Sequence, residues 1–406
     1  MIKYLGVSNF KSLVEFKIHL PKFTVLIGLN GAGKTTILQA FDFASQLMSG
    51  KIDEWLISRN WDKADIASKL VSSSNISFTS AIQLENRKEI VVWSSSLNRK
   101  ELSCLTEIAS LLEDIKDGEA EEIFLLKDRQ YRMKNEDPIP VVFNYQGSLL
   151  SQLRDTELGL ELKSLRDMLR NIRSLELLSP HLMRQRTRDN AESIGIGGEK
   201  LSAYLHSIKG GDKQHLLELL RNFYPYVSDF KSSPTKGGWK RLSIIENFDS
   251  KQVETEVRHI NDGLLRVLAM LAQTIGEDAM LLFDEVENGV NPEIVEKLVD
   301  LLVNAKQQIL VTTHNPMILN YLADDVARKA VQFVYKTPEG YTRVRPFFSL
   351  PGIGEKLELM GPGEAFVDTN LVALTAVCVE LDKQDKANNE VGEKSKKIPT
   401  SKRAAA

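Results

Sequence analysis

Apolar and polar residues alternate near the start of the chain, over Ile2–Val7 and Leu13–Leu20. Alternation with a period of two is typical of half-buried strands, because successive side chains point to opposite faces of a sheet. Two similar segments, Ile76–Leu84 and Glu89–Trp93, flank the polar residues 85–88 and predict a hairpin. We therefore expect a small antiparallel sheet in the N-terminal part.

Three continuous apolar runs, Phe23–Ile27, Ala279–Phe283 and Gln308–Thr312, indicate strands that are buried on both faces. Such strands are usual in parallel sheets, which carry helices on both sides. A helix is predicted after each run, and a closing hairpin is predicted over 331–335 and 342–345. The order of strands and helices favours an α/β fold.

The residues from about 100 to 235 are expected to be mainly helical. An apolar stripe recurs there at a spacing of four and three residues, which is typical of one helix face. The stripe consists of Leu158, Leu162, Leu165, Leu169 and Ile172. It fits a core-facing helix of an insertion or, alternatively, a short coiled-coil hairpin. Further helices are predicted over 200–208 and 215–223, and another follows over 258–275.

These patterns predict five parts of the chain. They are the first part of an α/β unit at 1–98, a mainly helical insertion at 99–238, the second part of the α/β unit at 239–350, a helical extension at 351–381 and a tail at 382–406. The tail is polar and lysine-rich, so we expect it to be disordered.

Composition mainly excludes classes of protein. The 406 residues are 42% hydrophobic and 26% charged, with a formal net charge of −3. This balance gives no overall attraction to nucleic acid or anionic lipid, so DNA binding would need a local basic patch. Two cysteines, Cys104 and Cys378, are too few for a disulfide framework. Without a transmembrane-length apolar stretch or a signal peptide, we expect a cytoplasmic protein with no membrane contact.

Residues Gly28–Thr35 read G-x-x-x-x-G-K-T, directly after the apolar run Phe23–Ile27 and before a predicted helix. This strand–turn–helix context disfavours an incidental glycine turn and predicts a loop whose backbone N–H groups bind phosphate. Lys34 is expected to reach the β- and γ-phosphates, and Thr35 to bind Mg²⁺. The expected ATP contacts are Asn30, Gly31, Ala32, Gly33, Lys34, Thr35 and Thr36.

A second half of the site is predicted where the apolar run Met280–Phe283 ends in Asp284 and Glu285. Phosphoryl transfer to water needs one carboxylate committed to Mg²⁺ and another that orients the water, which favours Asp284 as metal ligand and Glu285 as catalytic residue. His314 follows the next predicted strand, where it can hydrogen-bond the γ-phosphate. Two surface acids and a structural histidine are the alternative interpretation.

These segments resemble the ABC-type ATPases of the RecF/SMC/OLD branch, and more closely the stand-alone AAA15-like or AbiEii-like ATPases of anti-phage operons. Besides the phosphate loop and His314, Val7–Ser12 resembles the family's nFksf strand and Asp284–Pro292 its EEPENGLHP segment. Gly361–Phe366 is similar to the GxGExW stretch after the core. The resemblance covers about 1–95 and 240–370.

The resemblance implies an ABC-ATPase head, in which a P-loop core and an antiparallel β subdomain are interrupted by a mainly helical insertion. It also implies that ATP joins two heads into a homodimer or a higher even oligomer, because the signature motif of one subunit completes the site of the other. Ile260–Arg266 occupies the place of the family's LSDGTLR, so the expected contacts across the dimer are Asn261, Asp262 and Gly263. Asn261 replaces the family's serine. Gln83 is a candidate for the Q-loop glutamine.

The function implied by the resemblance is ATP hydrolysis that regulates a separate effector protein, in anti-phage defence. The segment after the core lacks the acidic cluster of a Toprim nuclease, which excludes an OLD nuclease. The alternative is a RecF- or SMC-like DNA-binding ATPase of DNA repair or chromosome maintenance, for which Arg184–Arg188 is the candidate phosphate-contacting patch. The long insertion and absent LSGGQ disfavour a transporter subunit. The large separation of Gly28–Thr35 from Asp284 disfavours a small-molecule kinase.

Overall fold

The computed structural model describes residues 1–73, 75–113, 120–134, 136–176, 178–188, 191, 193–249 and 251–396, with side chains up to residue 388. In these residues the strands form three sheets, of eight, six and three strands. The six-stranded sheet carries the residues of the predicted site, and the other two sheets are additions to it.

The eight-stranded sheet is antiparallel. Its strands are β1 (Ile2–Ser8), β2 (Phe16–His19), β4 (Asn75–Gln83), β5 (Ile90–Asn98), β6 (Ser103–Leu112), β7 (Glu121–Lys127), β8 (Gln130–Met133) and β9 (Ile139–Pro140), in the order β2–β1–β4–β5–β6–β7–β8–β9. The predicted hairpin is confirmed, because β4 pairs with β5. The inner face of the sheet packs on the first helix in one apolar core that includes Phe41, Phe43, Phe78 and Trp93.

The six-stranded sheet consists of β3 (Phe23–Ile27), β10 (Ile172–Ser174), β14 (Met280–Phe283), β15 (Gln308–Thr312), β16 (Val331–Lys336) and β17 (Thr342–Pro346). Its order is β10–β14–β15–β3–β16–β17, and all neighbours are parallel except β16 and β17. The carboxyl ends of parallel strands meet at one edge of a sheet. Therefore the residues after β3, β14 and β15 lie close together, although they are far apart in sequence.

The third sheet is antiparallel and contains β11 (Val227–Pro234), β12 (Lys240–Phe248) and β13 (Lys251–Glu256). The helices are α1 (Lys34–Ser49), α2 (Ile52–Ser58), α3 (Leu160–Arg170), α4 (Pro180–Met183), α5 (Leu201–Ser207), α6 (Gly210–Phe223), α7 (Asp262–Thr274), α8 (Pro292–Val303), α9 (Met317–Asn320), α10 (Asp324–Ala330), α11 (Pro362–Val367) and α12 (Leu371–Lys396). Over the described part of the chain, none of these helices is long and apolar enough to cross a membrane.

The predicted insertion at 99–238 is less helical than expected. Its first part continues the antiparallel sheet as β6 to β9, and its helices lie between Leu160 and Phe223. The sequence pattern of β6 was misleading because Glu107 points into the core, where alternation would place an apolar residue. The expectation of a mainly helical segment from about residue 100 is therefore wrong for the residues of β6 to β9.

The leucine stripe is also shorter than predicted. Leu162, Leu165 and Leu169 are buried on α3, but the helix ends at Arg170 and Ile172 begins a strand of the core sheet. The same core buries residues on both sides of this junction, so the apolar spacing continues after the helix has ended. The helix faces the core, and the coiled-coil alternative is wrong.

The tail is ordered over its first part. Helix α12 continues through Lys396, whereas residues 397–406 lie outside the described residues. Tyr335 donates a hydrogen bond of 2.8 Å to Asp382, and Arg345 donates one of 2.7 Å to the same carboxylate. These contacts fix the helix to the β16–β17 hairpin, so the expectation that disorder begins at residue 382 is wrong at Asp382.

Glu107 fastens the segment that follows the antiparallel sheet to the sheet itself. Its carboxylate accepts hydrogen bonds from Trp93 Nε1 at 3.0 Å, from Leu149 N at 2.6 Å and from the Ser148 hydroxyl. The Ser148 backbone N–H in turn donates to Leu47 O at the end of α1. Burial raises the pKa of Glu107 to about 7, although these hydrogen bonds oppose the rise.

Glu107→Gln should change how stability depends on pH. The folded protein keeps the Glu107 proton up to a pKa of about 7, above the ordinary 4.5, so the wild type loses stability as pH rises through this window. The variant lacks this loss. We expect the free energy of unfolding of wild type relative to the variant to fall by roughly 3 kcal/mol between pH 4.5 and 7. Denaturant titrations across this range measure it.

The matched control for this prediction is Glu101→Gln, since Glu101 is exposed on the turn before β6. Its stability should follow that of wild type at every pH. Parallel stability curves for wild type and Glu107→Gln would contradict the prediction.

Candidate functional site

The loop between β3 and α1 is held in shape by the β16–β17 hairpin. Gly28 has a φ of +145° and Gly33 a φ of +109°, which side chains rarely adopt. A Cβ at Gly28 would overlap the Val334 carbonyl oxygen, and one at Gly33 would overlap the Thr342 hydroxyl. The loop thus lies against backbone, and α1 begins directly after it at Lys34. The first turn of this helix, whose N–H groups have no partner within the helix, lines the cleft described below.

Lys34 is buried at the base of the loop. Its Nζ donates hydrogen bonds to Gly28 O at 2.8 Å and to Leu29 O at 3.2 Å. Burial lowers its pKa, while the nearby acids Asp284 and Glu285 act in the opposite direction. An ammonium group carries three protons, so one of them is left for an anion in the loop.

Asp284 connects the two halves of the predicted site. Thr35 Oγ1 donates a hydrogen bond of 2.9 Å to Asp284 Oδ2, and the Thr312 hydroxyl donates to Oδ1. Hydroxyl and carboxylate oxygens are the ligands that Mg²⁺ prefers, so Thr35 and Asp284 fit this ion. Nowhere in the described ranges do three or more His, Cys, Asp or Glu side chains form a metal-binding group. The remaining ligands of Mg²⁺ would therefore come from phosphate and water.

Glu285 is turned out of the strand into the cleft. Its φ of +48° is in the left-handed region, an unfavourable conformation that often occurs at functional sites. Its backbone N–H donates to Thr312 Oγ1 at 2.9 Å. Its carboxylate lies 3.7 Å from His314 Nε2 and accepts a hydrogen bond of 3.4 Å from Asn288. The carboxylate and the imidazole thus face the same space.

These groups surround a cleft of about 920 Å³. Its lining residues are Ser12, Asn30, Gly31, Gly33, Lys34, Thr35, Thr36, Glu285, Glu287, Asn288, His314 and Lys336. The cleft therefore unites most of the predicted residues of both halves. Ala32 belongs to the loop but is buried and does not line the cleft, and its carbonyl oxygen accepts a hydrogen bond from the Thr342 hydroxyl. A second cleft of about 510 Å³, which includes Lys11 and Trp61, shares Ser12 and Lys336 with the first.

Asn261, Asp262 and Gly263 do not line this cleft. Asn261 caps α7, because its Oδ1 accepts a hydrogen bond of 2.8 Å from Leu264 N. At Gly263 a Cβ would lie 2.9 Å from Gly289 O, so the start of α7 packs on the turn after β14. Within one chain these three residues stand apart from the phosphate loop.

Two further predictions concern Gln83 and the arginines of the candidate DNA patch. Gln83 lines a separate cavity of about 780 Å³ together with Met1 and Gln308, so it is not the Q-loop glutamine of this cleft. Arg184 of the candidate DNA patch donates to Asp262 at 2.5 Å, and Arg186 donates to Glu256 at 2.7 Å.

These two arginines are neutralised by acids within the same chain. The patch is therefore not a free cationic surface, and phosphate contact by Arg184 or Arg186 would have to compete with these ion pairs.

Three residues that shape the site were not predicted as site residues from the sequence, namely Thr312, Glu287 and Asn288. Thr312 ends β15, and its position beside Asp284 follows from the parallel pairing of β14 and β15. Glu287 and Asn288 lie in the Asp284–Pro292 segment, whose resemblance to a family motif could have indicated them. The hydrogen-bond partners of Glu287, however, lie in the turn after β15, which a local motif does not indicate.

Comparisons with known proteins show the family and the fold of the chain. The model of the family AAA_21, described as "AAA domain, putative AbiEii toxin, Type IV TA system", matches residues 23–320. The OLD nuclease of Thermus scotoductus (strain ATCC 700910 / SA-01) is 50% identical over 42 residues. That stretch is 10% of this chain and 8% of the OLD nuclease, so the chain spans under a tenth of this curated relative.

Solved structures of SMC heads are also similar. The SmcHead bound to the C-winged helix domain of ScpA has a TM-score of 0.52 at 16% identity, over 85% of this chain and 96% of that chain. The SMC head domain from Thermotoga maritima has a TM-score of 0.45 at 14% identity, over 85% of this chain and 98% of that chain. The first likeness shows a shared fold, an ABC-ATPase head with an α/β core and an antiparallel sheet.

Gly33→Ala should damage the loop more than Gly31→Ala. A methyl group at Gly33 would overlap the Thr342 side chain, whereas no atom lies within 4 Å of the corresponding position at Gly31. The φ of Gly31 is +74°, near the left-handed region, whereas that of Gly33 is +109°, so backbone strain and overlap both act more strongly at Gly33. We expect Gly33→Ala to lower the free energy of unfolding by roughly 2 kcal/mol more than Gly31→Ala, measured by denaturant titration. Equal stability of the two variants would contradict the described packing.

Proposed function

We propose that this chain, which belongs to the AAA_21 family among the ABC-type ATPases of the RecF/SMC/OLD branch, binds and hydrolyses ATP with Mg²⁺. The observation that carries the proposal is the convergence of Lys34 and Thr35 with Asp284, Glu285 and His314 at one edge of the core sheet. Each half by itself would indicate only an anion site or a strand end. Together they supply the groups that phosphoryl transfer to water requires.

Each side chain has a distinct task in this proposal. The free proton of Lys34 and the backbone N–H groups of the loop bind the phosphates. Thr35 and Asp284 hold Mg²⁺, which neutralises charge on the phosphates when it is bound. Glu285 accepts a hydrogen bond from the attacking water and orients it, and His314 binds an oxygen of the γ-phosphate. The second cleft, next to Ser12 and Lys336, leaves space for the nucleoside.

We further propose that ATP joins two chains head to head. Asn261–Gly263 lie outside the cleft of their own chain, and two apolar side chains are exposed near it, namely Leu29 in the loop and Met317 three residues after His314. Exposed apolar groups at the rim of a polar cleft favour burial by a partner. ATP that contacts both chains would bind the closed dimer better than the open monomer, so its hydrolysis would release the dimer.

The cellular role that we propose is control of a separate effector protein in anti-phage defence. The matching family is described as a putative toxin of a type IV toxin–antitoxin system, and one short segment is similar to an OLD nuclease. The DNA-binding alternative lacks comparable support, since Arg184 and Arg186 are already paired with acids. An ATP-dependent dimer could transmit the nucleotide state to such an effector through its changed surface.

Lys34→Ala should abolish tight binding of ATP. The substitution removes the only ammonium group that lies within hydrogen-bond distance of both Gly28 O and Leu29 O in the described residues. Loss of a charge-assisted contact to phosphate should raise the dissociation constant roughly 100-fold, measured by calorimetry with Mg²⁺·ATP. Lys22→Ala is the matched control, because Lys22 is exposed and directly precedes β3, at the end of the strand away from the loop. Undiminished affinity of Lys34→Ala would refute the assigned phosphate loop.

Glu285→Gln should leave ATP bound but unhydrolysed. The amide keeps the size of the side chain but accepts a proton poorly, so phosphate release should slow by a factor on the order of 100 to 10,000. Light scattering should then show an ATP-dependent dimer that persists. Glu293→Gln, in the first turn of α8, is the control. Normal turnover in Glu285→Gln would exclude Glu285 as the water-orienting group, whereas blocked turnover without a dimer would exclude head-to-head association.

A further inference from the structure

Glu287 follows Glu285 by two residues and lines the same cleft. One of its carboxylate oxygens, Oε1, accepts three hydrogen bonds. The donors are Thr313 Oγ1 at 2.9 Å, His314 N at 3.0 Å and Asn315 N at 3.2 Å. All three donors belong to the turn after β15 that carries the His314 imidazole. A single oxygen atom thus accepts hydrogen bonds from three consecutive residues of this turn.

These contacts join two loops that the sheet alone does not fix. Strands β14 and β15 are paired up to Phe283 and Val311. Beyond them, Thr312 accepts hydrogen bonds from Glu285 N and Val286 N, and Thr313 N donates to Leu26 O of β3 at 3.3 Å. The turn that bears His314 continues past these bonds. Three donors from one turn that share a single acceptor oxygen restrict this turn more than one hydrogen bond would, so Glu287 holds it against the segment after β14.

The geometry matters because the His314 imidazole has few other constraints. Its side chain is exposed, and its Nε2 lies 3.7 Å from Glu285 Oε1. The point from which the imidazole extends is set by the backbone of His314, whose N–H donates to Glu287. If the turn moved by about an ångström, the imidazole and the Glu285 carboxylate would no longer face the same point in the cleft.

The other oxygen of Glu287 is different. Oε2 is buried and accepts no hydrogen bond from any residue that the structure describes. A glutamine at this position could keep its carbonyl oxygen at the place of Oε1 and put its amide at the place of Oε2. Consequently Glu287→Gln keeps the three acceptor contacts in weakened form, whereas Glu287→Ala removes them all.

We propose that Glu287 is a positioning residue of this site, which holds the His314 turn against the turn of Glu285 through its Oε1. The proposal rests on the proposed ATPase function for its kinetic consequence, but not for the contact itself. Glu287 acts through His314, and it is not assigned a contact with ATP.

The test compares Glu287→Ala and Glu287→Gln in the full chain. In Glu287→Ala we expect kcat for ATP to fall about 100-fold, the scale of loss for a group displaced by about an ångström, with KM changed less than about threefold. Glu287→Gln should recover most of this loss, to within about tenfold of wild type. In parallel, the imidazole signal of His314 is followed by NMR with ¹³C-labelled histidine, and it is assigned with His314→Gln.

The NMR signal separates failure of this proposal from failure of the ATPase function. The His314 signal should move in Glu287→Ala and stay near its wild-type position in Glu287→Gln, even if the wild type hydrolyses no ATP. An unmoved signal in Glu287→Ala overturns the proposal, and so does a loss of kcat in Glu287→Gln as large as in Glu287→Ala. If Glu287→Ala does not fold, Thr313→Val removes one of the three donors, and an unmoved His314 signal there overturns the proposal.

Discussion

The hydrogen bond from Thr35 to Asp284 joins residues that are 249 positions apart, and the rest of the site depends on the sheet that permits it. Strand β15 lies between β3 and β14, so Thr312 at its end reaches the second oxygen of Asp284. The carboxylate is therefore fixed from both sides before any ligand arrives. Such preorganisation lowers the cost of placing Mg²⁺ and phosphate together, because the oxygen atoms need no further ordering.

Helix α7 is the first helix after the predicted insertion, and it packs on the turn that follows β14. Helix α7 starts with Asn261 as its cap, and its first turn packs on the turn after β14 through Gly263 and Gly289. The Arg266 side chain runs beside Gly289, and burial lowers its pKa while Asp262 and Glu285 oppose this effect. A movement of α7 would therefore press directly on the segment that carries Glu285. This contact gives a physical route by which a movement of α7 could reach the Glu285 carboxylate.

Local sequence patterns predicted the elements in which the pattern of apolar, polar and glycine residues is uninterrupted. The phosphate loop and the buried strands β14 and β15 were recognised because glycines, apolar runs and terminal acids follow each other in a fixed order. Strand β6 was missed because the buried Glu107 interrupts its alternation, and the start of β10 was read as helix because Ile172 continues an apolar spacing. In both cases the burial of a residue depended on distant partners. The tail was misjudged for the same reason, since Asp382 is fixed by Tyr335 and Arg345.

By itself, the sequence determined the chemistry of this protein's site: a loop that must contain glycine at positive φ, an ammonium group, a hydroxyl, two adjacent acids and a histidine. These properties follow from residue type and from the immediate neighbours, so they can be read along the chain. The tertiary structure alone decided which of these groups meet, that Glu287 holds the His314 turn, and that Arg184 is paired with Asp262. Hydrogen-bond and ion partners are chosen by strand order and register, which bring together residues that no local pattern connects.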